Sequence, residues 1–244
     1  MSGLNKKVAI LQSNYIPWRG YFDLIASVDE FIVYDDMQYT KNDWRNRNRI
    51  RTAQGTQWLS IPVRRASLQQ RICDTQVMDM RWASRHWRTL SQVYARAPYF
   101  QFGCELLAGL YTEAASLNYL SAINLLFMKT ICKSLDIHTH ITSSSDYAYD
   151  AHADRTTRLI QLLKATDGVH YLSGPAARQY LDQQQMSVAG IDVSWMKYND
   201  YQAYPQIHGE PFESAVSIVD LLFNMGPAAS QYLRAGSGSV AAGL

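Results

Sequence analysis

Charge is scarce in this sequence. Lys, Arg, Asp and Glu make up 18% of its 244 residues and leave a formal net charge of +2. So small an excess does not mark a chain that holds nucleic acid by bulk electrostatics, and nucleic acid is not an expected partner. Cysteine is scarcer still: Cys73, Cys104 and Cys132. An odd count, without close spacing or a His at zinc-like intervals, argues against a disulfide framework and suits reduced thiols in a cytoplasmic protein. Long apolar runs are missing too. The most apolar stretch, 123–131, is cut by Asn124 and Lys129 and is too short to span a bilayer. The polar opening 1–7 runs straight into a strand, so no secretory signal is read there. There is no Gly-x-Ser-x-Gly elbow, Walker loop or Cys-x-x-Cys pair, and the six His are scattered. No metal site is expected from these absences.

Apolar residues are plentiful, at 47%, and so are aromatics, with 16 Tyr and 6 Trp. The first suffice for a large core. The second suit clefts, where a flat apolar ring with a polar tip meets a ligand, or they simply fill the core. The short apolar runs at 7–11 and 31–34 read as strands, and so do 137–142, 169–172 and 191–195. Helical spacing lies between them, at 21–28, 155–164, from Ser173-Gly174-Pro175 to 181, and at 214–224. Residues 44–63 read as a hairpin turning near Gly55, and 80–135 as mostly helical, with Trp82, His86 and Trp87 on one helix. The fold expected is α/β: a Rossmann-like open, mostly parallel sheet flanked by helices, with a β-hairpin and an inserted helical lobe. One domain over 1–235 is expected, with a flexible tail over 236–244.

Five clusters could carry chemistry. The loop after the first strand holds Gln12, Asn14, Tyr15, Trp18 and Gly20. It lies where ligands bind in open α/β sheets and leads into a helix N-terminus that favours anions; an ordinary strand–helix connection is the alternative. Asp35 and Asp36, with Gln38 and Tyr39, follow the second strand. Adjacent strand residues face opposite ways, so one of the two carboxylates would face a given ligand. Arg45, Arg47, Arg49 and Arg51 alternate with Trp44, Asn46, Asn48 and Ile50. On a strand the four guanidinium groups share one face, as a pyrophosphate site with Lys41 nearby or as a basic edge that resists aggregation. Ser173 and Gly174, followed by Arg178 and Tyr180, sit at a strand-to-helix turn. Ser217, Asp220 and Asn224 fall on one helical stripe beside an apolar seam, as a site or as a packing network.

These same residues carry a resemblance. Residues 12–22 (QSNYIPWRGYF), 34–41 (YDDMQYTK) and 44–50 (WRNRNRI) resemble the N-terminal signature of the WbqC-like protein family. Residues 171–174 (YLSG) with Tyr180 and Leu181, the turn at Tyr204-Pro205-Gln206, and 217–226 (SIVDLLFNMG) resemble its C-terminal signature. Where the family's loop typically begins His-Gln-Pro, this chain has Leu11-Gln12-Ser13. The resemblance implies a part in building O-antigen or a related surface polysaccharide (lipopolysaccharide), by tailoring a nucleotide-linked amino sugar. The opening elements also resemble nucleotidylyltransferases, although their His-x-Gly-His is absent.

The expected activity is therefore transfer of an acyl or aminoacyl group to the amine of a nucleotide sugar. Asp35, Asp36 or Asp220 would act on the amine. Gln12, Asn14, Tyr15, Trp18, Gly20, Gln38, Lys41, Arg45, Arg47, Arg49, Ser173, Gly174, Gln206, Ser217 and Asn224 would hold substrate. A non-catalytic nucleotide-sugar binder or assembly protein is one alternative, and a Mg2+-dependent nucleotidyl transfer enzyme is another. A cofactor is not defined beyond the acyl or aminoacyl donor, with Mg2+ ranked below it. A homo-oligomer is compatible with the sequence.

Overall fold

The computed structural model describes residues 5–199 and 201–233; the tail expected over 236–244 lies outside them. Five strands form one sheet: β1 (Lys7–Leu11), β2 (Glu30–Val33), β7 (His140–Ser143), β8 (His170–Ser173) and β9 (Asp192–Trp195). Their spatial order is β7-β2-β1-β8-β9, and every neighbouring pair is parallel. A sheet buried on both faces needs apolar residues in succession. In β1, Val8 and Ile10 feed one core while Ala9 feeds the other; in β2, Ile32 joins the first and Phe31 and Val33 the second. The expected Rossmann-like class holds.

Connections place helices on both faces. Helix α1 (Arg19–Ala26) links β1 to β2. Between β2 and β7 lie the hairpin of β3 (Arg47–Thr52) and β4 (Gly55–Ser60), a two-strand ribbon of β5 (Val63–Arg64) and β6 (Gln76–Val77), and three helices: α2 (Trp82–Val93), α3 (Phe100–Ala114) and α4 (Leu120–Ser134). The hairpin turns at Ala53-Gln54, pairing Thr52 with Gly55, whose φ of 117° suits glycine. The ribbon carries no sequence signal, being two residues wide.

On the other face, α5 (Arg155–Ala165) leads into β8 and α6 (Gln183–Val188) into β9. Asp154 caps α5 by accepting from the amides of Thr156 and Thr157. The continuous helix expected from 173 to 181 is instead a 3-10 turn over Pro175–Gln179, and α6 starts afresh on its own cap, Asp182. The last helix, α7 (Ile218–Met225), begins later than 214 because Ser217 is its cap, accepting from the Val219 amide. Among the described residues no helix is long and apolar enough to cross a membrane.

Candidate functional site

The strand order reverses between β1 and β8, because β2 and β7 run outward on one side and β9 on the other. Such a switch point leaves a crevice beyond the carboxyl ends of the two central strands. A cavity of about 550 Å3 opens here, a size typical of small-molecule sites. Gln12 borders it from the end of β1, Asp36 and Gln38 from beyond β2, and Arg155 and Arg158 from the first turn of α5. Tyr34, Tyr171 and Tyr180 supply aromatic walls.

Several donors here lack acceptors. The Tyr34 hydroxyl and Arg158 Nε are shielded from water and have no hydrogen-bond partner. Neither Arg155 nor Arg158 pairs with a carboxylate among the described residues; Arg158 reaches only the Ala151 carbonyl, at 3.5 Å. Arg155 lies over the Tyr180 ring at 5.7 Å. At i and i+3 the two guanidinium groups share one face of α5. Sequence reading placed a helix over 155–164 and named neither arginine as a candidate. The signal available was an arginine pair opening a capped helix.

Asp36 is the carboxylate that faces this cavity. It accepts from Ser144 Oγ at 2.6 Å and Tyr149 OH at 2.9 Å, with Arg71 Nη1 3.6 Å away. Burial and then the neighbouring Asp36 charge push the Tyr149 phenol up, so it stays protonated and donates. Cys73 Sγ approaches Asp36 at 3.8 Å, and burial pushes this thiol up to about 11. It is a thiol at neutral pH, not a nucleophilic thiolate.

Asp35 points the other way, into a closed knot, although both residues lie in a turn beyond the end of β2 and not on the strand. It accepts from the Ser13 amide at 2.8 Å, from Ser13 Oγ at 2.6 Å and from Ser121 Oγ on α4. Asn124 of α4 donates to the same Ser13 hydroxyl. These contacts fix the β1 loop to the helical insertion and leave Asp35 3% exposed. Its oxygens do not fit a Mg2+ role. Among the described residues no three His, Cys, Asp or Glu side chains gather as a metal site.

The remaining residues divide. Arg45 lies just before β3, not on it, so the four arginines do not form one ladder. It turns back to donate to Asn14 Oδ1 and, at 2.6 Å, to Gln12 Oε1. Tyr15 is fully buried, bonded to His86 Nδ1 at 2.9 Å and Tyr111 OH at 2.7 Å, and cannot stack on a ligand. At Gly20 the Trp18 ring folds over the backbone, and an added Cβ would lie 2.4 Å from that ring. Gln38 donates to the Leu68 carbonyl. Lys41 is exposed and Arg47 stacks on Trp58 at 4.2 Å; neither borders the cavity. Ser173 donates to Tyr171 OH at 3.2 Å, beside Gly174 at the end of β8.

Of the three stripe residues on the C-terminal helix, Ser217 is the one that meets the β1 loop. Its hydroxyl donates to the Ile16 carbonyl at 2.7 Å, and the Ile218 amide donates to the Pro17 carbonyl. Asn48 of β3 donates to the Tyr15 and Ile16 carbonyls from the hairpin side. Ile16 is thereby held at φ 36°, strained for a β-branched residue. Asp220 and Asn224 face away from the loop. Asp220 accepts from Tyr94, Tyr204 and Gln206, each at 2.8 Å. Asn224 accepts from the Ile207 amide, and the two side chains pin segment 204–213 to α7. Asp220, Gln206 and Asn224 are therefore fasteners placed apart from the cavity.

The WbqC-like protein family matches residues 12–232. The chain belongs to this family. A relative described as the uncharacterized protein Rv1507c of Mycobacterium tuberculosis is 49% identical over 231 residues, 94% of this chain and 98% of that protein. No solved structure matches. The family match begins at Gln12 and so takes in the β1 loop, the cavity borders and the α7 fasteners alike.

Proposed function

We propose that this WbqC-like protein is a cytoplasmic transferase of surface-polysaccharide assembly, which binds a nucleotide-linked amino sugar at the β1–β8 switch point and acylates or aminoacylates its amine. The supporting observation is that the cavity gathers the Arg155 and Arg158 guanidinium groups, paired with no carboxylate among the described residues, and leaves Arg158 Nε and the Tyr34 hydroxyl without an acceptor. A diphosphate supplies the acceptors they lack, and guanidinium forks match phosphate geometry. The tyrosines give a base or sugar ring its flat apolar wall.

Asp36 then takes the proton. The sugar nitrogen forms a bond to the donor's carbonyl carbon, the bond from that carbon to the leaving group breaks, and the released proton passes through Asp36 to the leaving group. General-base help of this kind is worth about 10²–10⁴ in rate. A second reading, a nucleotide-sugar binder without turnover, is favoured by one feature: Asp36 already holds Ser144 and Tyr149.

Calorimetric titration with UDP- and dTDP-linked amino sugars is the direct test. Saturable binding without Mg2+ is expected, weakened about tenfold or more in Arg158→Ala. With an acyl thioester or aminoacyl donor added, turnover is expected in the native protein and a loss of about 100-fold or more in Asp36→Asn, with binding kept. Binding without turnover selects the second reading. An absence of nucleotide-sugar binding ends both.

A further inference from the structure

A second, smaller cavity of about 280 Å3 lies on the hairpin side of the β1 loop. Pro17, Trp18, Trp44 and Ala215 give it apolar walls, and Asn14 and Arg49 are its polar borders that matter. Arg49 is built for a partner it does not have. Its guanidinium carbon sits 5.9 Å from the Trp44 ring and 5.6 Å from the Trp58 ring, and these indoles lie 5.4 Å apart. Its Nε is shielded from water with no hydrogen-bond acceptor. No carboxylate pairs with it among the described residues. Aromatic faces fix a guanidinium's position without satisfying its donors.

Of the other polar borders, the exposed Ser214 offers a hydroxyl that can donate, and the two asparagines are committed or are donors. Asn48 spends its amide on the Tyr15 and Ile16 carbonyls and its oxygen on the Arg49 amide. Asn14 spends its oxygen on Arg45, so its NH2 is what remains to offer. The cavity thus presents donors, one positive charge and apolar walls. We propose that it binds a small monocarboxylate with a compact apolar body, the carboxylate on Arg49 and Asn14 and the hydrocarbon between Trp18 and Trp44. One guanidinium balances one charge, which favours a carboxylate over a doubly charged phosphate. The volume falls just below the usual range for whole ligands, which limits the occupant to a few carbons. The inference stands apart from the nucleotide reading, because none of its residues borders the larger cavity.

The test is tryptophan fluorescence titration of the full chain, with saturation-transfer NMR alongside, using 3-methylbutanoate, its primary amide and inorganic phosphate. The acid is expected to change the fluorescence saturably at millimolar concentration. The amide should bind about tenfold or more weakly, since it removes the charge from the paired hydrogen bonds. Arg49→Gln should lose about tenfold or more for the acid and little for the amide, and Arg49→Lys should recover only part, lacking the fork. Equal binding of acid and amide, competition by phosphate at the same concentration, or unchanged acid binding in Arg49→Gln would each overturn the proposal. The acid–amide comparison needs no variant, so a misfolded mutant cannot obscure it.

Discussion

Asp36 and Asp220 both lie beside tyrosine hydroxyls, yet they belong to opposite kinds of place. Asp220 is wholly buried and receives three hydrogen bonds from side chains of two separate segments. Burial raises its pKa, against the pull of those donors. Asp36 receives two from hydroxyls and a longer one from Cys73, borders open space, and shares its cavity with Arg155 and Arg158, which pair with no carboxylate among the described residues. A polar network that closes on itself holds segments together. One that ends on unfilled donors holds them for something else. Residue type does not separate the two cases; the number of unfilled partners does.

Stability measurements should widen that contrast. The largest effect is expected for Asp220→Ala, which leaves two buried tyrosine hydroxyls without their acceptor and removes one of the two acceptors of the Gln206 amide. A loss of about 3–5 kcal/mol in urea denaturation is expected, and a loss below about 1 kcal/mol would mean the network is slack. His86, behind the β1 loop, comes next. Burial lowers its pKa from 6.5 to about 4. The unfolded chain therefore takes up a proton that the folded one refuses, so stability falls as pH drops from 6.5 towards 4. A loss of about 2 kcal/mol between pH 6.5 and pH 5 is expected from this group, and the pH slope of His86→Gln should be shallower by that amount. Smallest is the double change Arg155→Ala with Arg158→Ala. With no acid partner to lose, it should shift stability by about 0.5 kcal/mol or less while weakening nucleotide-sugar binding. A large stability loss would move the pair into the same class as Asp220.

The sheet was legible because buried parallel strands are short apolar runs, and 8–11 and 31–34 are such runs. The hairpin was legible from its alternation and Gly55. Harder to read was where each polar face points. Arg155 and Arg158 look like any solvated helix face until the strand order places the start of α5 beside β1. Tyr15 and Trp18 share a loop, and only packing decides that one ring enters the core while the other borders a cavity. Arg45 kept the alternation of the strand but falls before its first paired residue, so its side chain was free to turn back. The Ser173–Leu181 stretch was read as one helix because Pro175 fits a helix start as well as a 3-10 turn, and Asp182 was the unread cap.

The bond from Ser217 to the Ile16 carbonyl joins residues 201 positions apart. As the chain leaves the ribosome, the β1 loop emerges 201 residues ahead of its clasp. The loop must wait while the residues between are made, with its carbonyls unclaimed on that side, although domains tend to fold from the N-terminus as they appear. A nascent chain halted before α7 would carry every border of the large cavity and still lack the clasp that sets the loop, so ligand competence should arrive late and abruptly during translation.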